Sequence, residues 1–181
     1  MGADALIGGE QMDPFHFDTV VVGVSNTALT GEGIGVHAAR ALMRDPRLRP
    51  GIAILDGGTL GLELLERIAD AHRILFLDEV RSGVAPGSVI RIAGDDLLET
   101  ISERSVHQVG IADLMAALAL VSTRSAEVVV LGMRPPNARW RTSPWSALRA
   151  AVAPLVDAAL EQLHTWRATA AAAAGSWRAQ P

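Results

Sequence analysis

Cysteine, lysine and tyrosine are all absent from this 181-residue chain, so each of its 16 basic residues is an arginine. The missing cysteines exclude disulfides, thiolate metal sites and thiol nucleophiles, and the missing lysines exclude Schiff-base chemistry. With no cysteine the redox compartment is not readable. Positive charge is not in excess: the net charge is −4 and the isoelectric point about 5.7. No basic field is available to gather a phosphate backbone, so nucleic acid is not an expected partner. Polar groups break the alanine-rich end, and no window reaches the roughly 18 uninterrupted apolar residues of a membrane span. The first sixteen residues carry three acidic side chains and neither a basic nor a long apolar stretch, which is not a secretory pattern. A cytoplasmic protein without membrane insertion is expected.

What is present fits one folded domain, with 49% hydrophobic and 20% charged residues in a chain of ordinary domain length. Thr19–Val24 is a β-branched run that reads as a strand, and Gly33–Met43 repeats apolar residues at helical spacing. Ile52–Leu55 reads as a second strand ending at Asp56-Gly57-Gly58, and Leu60–His72 as a second helix with Leu62, Leu65, Ile68 and Ala69 on its apolar stripe. Ile74–Leu77 is a third strand that stops at Asp78, and its unbroken apolar run suits a central strand covered on both faces. Arg81–Gly87 is too short for a helical crossover, so Ser88–Ala93 is expected to return antiparallel at a sheet edge. Gly110–Leu120 forms a third helix and Val128–Met133 a fifth strand. Arg134–Pro144 is a proline-rich loop, and Pro144–Thr169 is a long last helix with Leu148, Val152, Leu155 and Leu163 on one side.

This alternation predicts a three-layer α/β/α sandwich around a mostly parallel five-stranded sheet with one antiparallel edge strand. Such folds bind ligands beyond the carboxyl ends of their strands. The polar residues that follow the predicted strands therefore matter most: Ser25, Asn26, Thr30 and Glu32 after the first, Asp56 and Thr59 after the second, Asp78 and Glu79 after the third. His107, just before the third helix, is placed to join them.

Three chemistries compete for these residues. The glycines of Gly31-Glu32-Gly33-Ile34-Gly35 lie between a strand and a helix, but the cluster comes late after Gly23, and Glu32 stands where phosphate charge would go. Gly23-Val24-Ser25 lacks the second glycine and the immediate helix of a nucleophile elbow, so Ser25 reads as a loop hydrogen-bonder. Glu32, Asp78 and His107 make a carboxylate and imidazole set suited to a divalent ion such as Ni²⁺ or Zn²⁺. Two carboxylates brought within about 4 Å repel by roughly 4 kcal/mol at an effective dielectric near 20, and a cation relieves that. Spacing alone nevertheless favours structural roles, with Glu32 solvated, Asp78 taking backbone N–H bonds and His107 capping the third helix, because the separations match no local ligand motif. His16, His37, His72 and His164 read as structural or solvated.

Four blocks then act together: Val21–Val36 (VVGVSNTALTGEGIGV), Leu55–Gly61 (LDGGTLG), Leu77-Asp78 and Ser105–Leu114 (SVHQVGIADL). In order and spacing the chain resembles the [NiFe]-hydrogenase maturation endopeptidases over about residues 18 to 165. The resemblance implies a protease that removes a short C-terminal extension from the hydrogenase large-subunit precursor after nickel has been inserted into it. It implies that Glu32, Asp78 and His107 are the metal-contacting and catalytic positions, the nickel being carried by the precursor, with no organic cofactor. It associates Asp56, Gly57, Gly58 and Thr59 with recognition of the precursor's cleavage region. The chain departs from the family at Ser25, where glycine is usual, and at Gly31, where aspartate is usual. A non-cleaving, nickel-checking chaperone of the large subunit is the alternative that needs the same contacts. The expected layout is a flexible leader over 1–17, one maturation-protease-like domain over 18–168, and an alanine-rich tail over 169–181 that frays, in a protein expected to act as a monomer.

Overall fold

The structure, a computed structural model, describes residues 17–24, 33–57, 63–80, 85–94, 97, 108–122, 124–135 and 145–177. Five strands form one sheet: β1 (Thr19–Gly23), β2 (Ile52–Asp56), β3 (Arg73–Glu79), β4 (Val89–Ala93) and β5 (Glu127–Met133), in the spatial order β2-β1-β3-β5-β4. β1 pairs in parallel with β2 and β3, and β3 in parallel with β5, while β4 runs antiparallel to β5 at the sheet edge, as the short connection before it predicts. Gly87 makes that return: it takes a φ of 83°, which a side chain disfavours, and donates its N–H to the Arg134 carbonyl at 2.8 Å.

Among the described residues, four helices cover the sheet: α1 (Ile34–Met43), α2 (Glu63–Ile68), α3 (Gln108–Val121) and α4 (Trp145–Trp177). Strand alternation divides the core between two faces. On β3, Leu75 and Leu77 point to the face covered by α1 and α4, and Ile74 and Phe76 to the face covered by α2 and α3. All four are fully buried, which explains why this strand reads as a continuous apolar run. Along α4, Leu148, Val152, Leu155, Ala159, Leu163 and Trp166 recur at helical spacing and form its buried stripe.

Two helix ends differ from the sequence reading. α2 stops at Ile68, not at His72, because the chain must reach the sheet: the N–H of Ala71 turns back to the Ile68 carbonyl, and those of His72 and Arg73 bond the Asp18 carbonyl at 3.0 and 3.1 Å. α4 runs on past Thr169 to Trp177, through a segment of alanines, the residue with the highest helix propensity. The leader residues 1–16, most of the 134–144 loop and the last four residues of the tail lie outside the described residues.

Candidate active site

The connection β1-α1-β2 runs over one face and β2-α2-β3 over the other, so the strand order reverses between β1 and β3. In an open α/β sheet the crevice forms beyond the carboxyl ends of the strands at that reversal. Those ends are Gly23-Val24 of β1 and Leu77-Asp78-Glu79 of β3. Backbone pairing continues past the strands: the N–H of Val24 reaches the Leu77 carbonyl at 2.9 Å, and that of Gly57 reaches the Gly23 carbonyl at 2.8 Å.

Glycines let the first turn of α1 close onto this edge. A Cβ on Gly35 would overlap the carbonyl oxygen of Leu77 and lie 2.7 Å from that of Val24. A Cβ on Gly23 would come within 2.6 Å of the Gly35 carbonyl oxygen, and one on Gly57 within 2.8 Å of the Gly23 oxygen. Close packing of backbone on backbone thus accounts for Gly35 without a phosphate, and for Gly57 without a substrate. Gly33, the next residue after Glu32, is the extended N-cap of α1.

Asp78 is the last but one residue of the central strand, opposite Gly132 of β5, and is wholly buried. Its Oδ1 accepts the N–H of Glu79 at 2.7 Å. By alternation its side chain belongs to the α2/α3 face and that of Glu79 to the α1/α4 face. Glu79 is buried as well, so two successive carboxylates are withdrawn from bulk water at the end of one strand. Burying charge in this way is costly and marks the position as one where partners or a cation are required.

Of the residues singled out from sequence, Asp78, Asp56 and Gly57 stand at this same edge. Asp56 and Asp78 are separated by β1, a distance of about 10 Å from two strand spacings. Glu32, Gly58, Thr59 and His107, together with Ser25 and Gly31, lie outside the described residues. Gln108, which follows His107, opens α3, whose Ile111 and Leu114 pack on the face that Asp78 shares. Among the described residues no three metal-ligating side chains cluster.

The remaining described histidines stand elsewhere. His37 is buried on α1. His72 lies at the amino ends of the strands, bonded to Asp18 Oδ1 at 2.7 Å and to Arg124 Nη1 at 3.1 Å. His164 faces a recess of about 860 Å³ at that same edge, lined also by Thr19, Ile52, Arg73 and Arg47. Two of the arginines that line it are held by acidic partners, Arg47 by Asp45 and Asp157 and Arg73 by Glu127.

Comparison with known proteins decides the family. The profile of the hydrogenase maturation proteases matches residues 36–165. The chain belongs to this family. The hydrogenase 2 maturation protease of Escherichia coli strain K12 is 32% identical over 146 residues, which covers 80% of this chain and 87% of that protein. The hydrogenase expression/formation protein HupD of Bradyrhizobium diazoefficiens is 28% identical over 153 residues, 83% of this chain and 80% of that protein. Among solved structures, the hydrogenase maturating endopeptidase HybD from E. coli superposes with a TM-score of 0.67 at 29% identity, covering 82% of this chain and 93% of that one.

The protein is thus a peptidase by family, built on the α/β fold of the HybD-like maturation proteases. Sequence reading missed two members of its crevice edge. Glu79 follows the predicted third strand with no motif to mark it, although alternation sends it to the face opposite Asp78. Arg40, which bonds Asp56 from α1, carries no local motif at all.

Proposed function

We propose that this hydrogenase maturation protease acts on the [NiFe]-hydrogenase large-subunit precursor and removes its C-terminal extension once nickel is in place. The observation that carries the reading is the wholly buried carboxylate of Asp78 at the crevice where the strand order reverses, in a chain of this family. A carboxylate withdrawn from water there is prepared for a cation that arrives with the substrate.

In this reading Glu32, Asp78 and His107 contact the nickel that the precursor already holds. Two carboxylates and an imidazole suit such an ion and leave coordination positions to the precursor's own ligands. The contact fixes the scissile peptide in register with an attacking water, so the metal serves recognition as well as catalysis. Water oxygen adds to the peptide carbonyl carbon, the C–N bond breaks, and the proton from water passes to the leaving amine. Asp56, Gly57, Gly58 and Thr59 take the cleavage region of the precursor. Among the described residues no helix is long and apolar enough to cross a membrane. A cytoplasmic monomer is the proposed working form.

The test is the intact mass of a hydrogenase large-subunit precursor incubated with this protein, with and without nickel loading. Loss of a C-terminal peptide from the nickel-loaded form alone is expected. Equal truncation of nickel-free precursor overturns the nickel requirement, and binding without any change in mass favours a non-cleaving chaperone.

A further inference from the structure

We propose that Arg40 is a positioning residue for substrate binding, acting by holding the carboxylate of Asp56. The inference rests on the reading that the Asp56–Thr59 segment takes the precursor's cleavage region, and it adds a residue that no sequence motif marks.

Arg40 lies in the last turn of α1, and Asp56 closes the edge strand β2. Arg40 Nη2 donates to Asp56 Oδ2 at 3.0 Å. The reach follows from helix geometry. Side chains on an α-helix lean toward its amino end, so a long side chain near the end of α1 returns toward the level of its first turn, where β2 stops. Both ends of the link are anchored. α1 is seated on β1 and β3 through Gly23 and Gly35, and the backbone after Asp56 is pinned by the Gly57 N–H to the Gly23 carbonyl.

Arg40 restricts the rotamers of a carboxylate at the open end of an edge strand, and rotamer freedom already restricted need not be given up when the carboxylate meets a substrate donor. Arg40 imposes that order before the precursor arrives, so the Asp56 carboxylate is presented to N–H donors of the cleavage segment in one orientation. Preorganisation of this kind lowers the cost of binding and leaves the chemical step alone.

The test is steady-state processing of a nickel-loaded precursor by Arg40→Met, Arg40→Lys, Asp56→Asn and the double variant, with thermal unfolding measured alongside. Arg40 and Asp56 are both partly exposed, so each variant is expected to fold, with a small change in Tm. Arg40→Met is expected to raise KM about threefold to fivefold with far less change in kcat, which is the ceiling for a half-exposed ion pair. Arg40→Lys, which keeps the charge but loses the planar fork, recovers part of that loss. In the Asp56→Asn background, Arg40→Met adds nothing further, because the partner it acts through is gone. The proposal is overturned if Asp56→Asn raises KM while Arg40→Met does not, or if the two effects add. If Asp56→Asn leaves KM unchanged, the assignment of the segment to substrate fails, and the role of Arg40 fails with it.

Discussion

Gly35, in the first turn of α1, lies so close to the carbonyl oxygen of Leu77 that a Cβ would overlap it. The obstacle is backbone in the central strand, directly before Asp78, and cannot swing aside as a side chain can. Glycine to alanine inside a helix ordinarily stabilises by about 0.5–1 kcal/mol through backbone entropy. Here steric overlap reverses the sign. Gly35→Ala is expected to cost about 2–4 kcal/mol, which lowers Tm by roughly 5–15 °C for a domain of this size. Calorimetry or thermal circular dichroism reads this directly, and a Tm at or above that of the parent protein contradicts the packing described for α1.

Asp45 and Arg47 supply a pH-dependent tie between the α1–β2 connection and α4. Arg47 donates from its backbone N–H and Nε to Asp45 Oδ1, both at 2.9 Å, and from Nη2 to Oδ2 at 2.8 Å, while Nη2 also reaches Asp157 at 2.9 Å. The side-chain bonds from Arg47, with its backbone bond behind them, hold the Asp45 carboxyl down to about 2 from an ordinary value of 3.8. A depressed carboxyl pKa means that the unfolded chain takes up the proton first as pH falls. The contribution of Asp45 is therefore complete above pH 3.8 and is lost as pH falls through about 2. Asp45→Asn is expected to unfold at lower temperature than the parent at pH 6, with the gap closing between pH 4 and pH 2. A gap that stays constant over that window shows that the ionised pair contributes nothing.

Pro154 interrupts the hydrogen bonding of α4 without ending it. Proline has no N–H, so the carbonyl four residues earlier, on Ala150, loses its helical donor. The position is exposed, and the apolar stripe runs past it through Val152, Leu155 and Val156. Tertiary burial holds this helix together where local preference opposes it. Pro154→Ala is expected to raise stability by about 1–3 kcal/mol, read as a higher denaturant midpoint at an unchanged slope. A lower midpoint shows that the proline is needed for the packing of α4.

Much of this architecture is legible in the sequence because each element states its own period. The β-branched run at Val20–Val22, the unbroken Ile74–Leu77 and the spaced leucines of α4 each report one environment, and Asp78 stands out as a carboxylate ending a doubly covered strand. The antiparallel edge is legible for a different reason, since the short connection before β4 leaves no room for a helix. What local pattern does not carry are relations between distant residues. Gly35 sits in a glycine cluster that suggests a phosphate loop, and its approach to Leu77 is set by how α1 lands on the sheet. The Arg40–Asp56 link joins a helix to an edge strand and has no periodic signature. The end of α2 at Ile68 is likewise imposed from outside, by the backbone bonds that His72 and Arg73 make to Asp18.

Asp78→Asn separates the chemistry of the crevice from its architecture. Asparagine has the same shape and its side-chain oxygen can still accept the Glu79 N–H, so that bond at the end of β3 is retained. The substitution keeps the volume at a wholly buried position, so the variant is expected to fold, and its thermal unfolding reads what the buried charge contributes. Processing depends on the charge itself. A neutral amide cannot supply the negative charge that a nickel contact or a general base requires, so the rate on nickel-loaded precursor is expected to fall at least about 100-fold. His107→Ala should lose processing in the same way, with no loss of fold. Single-turnover cleavage followed by intact mass, beside thermal unfolding of each variant, distinguishes the outcomes. A stable Asp78→Asn protein that cleaves at the parent rate removes Asp78 from the mechanism. A variant that unfolds shows that the buried carboxylate serves the sheet end rather than the substrate.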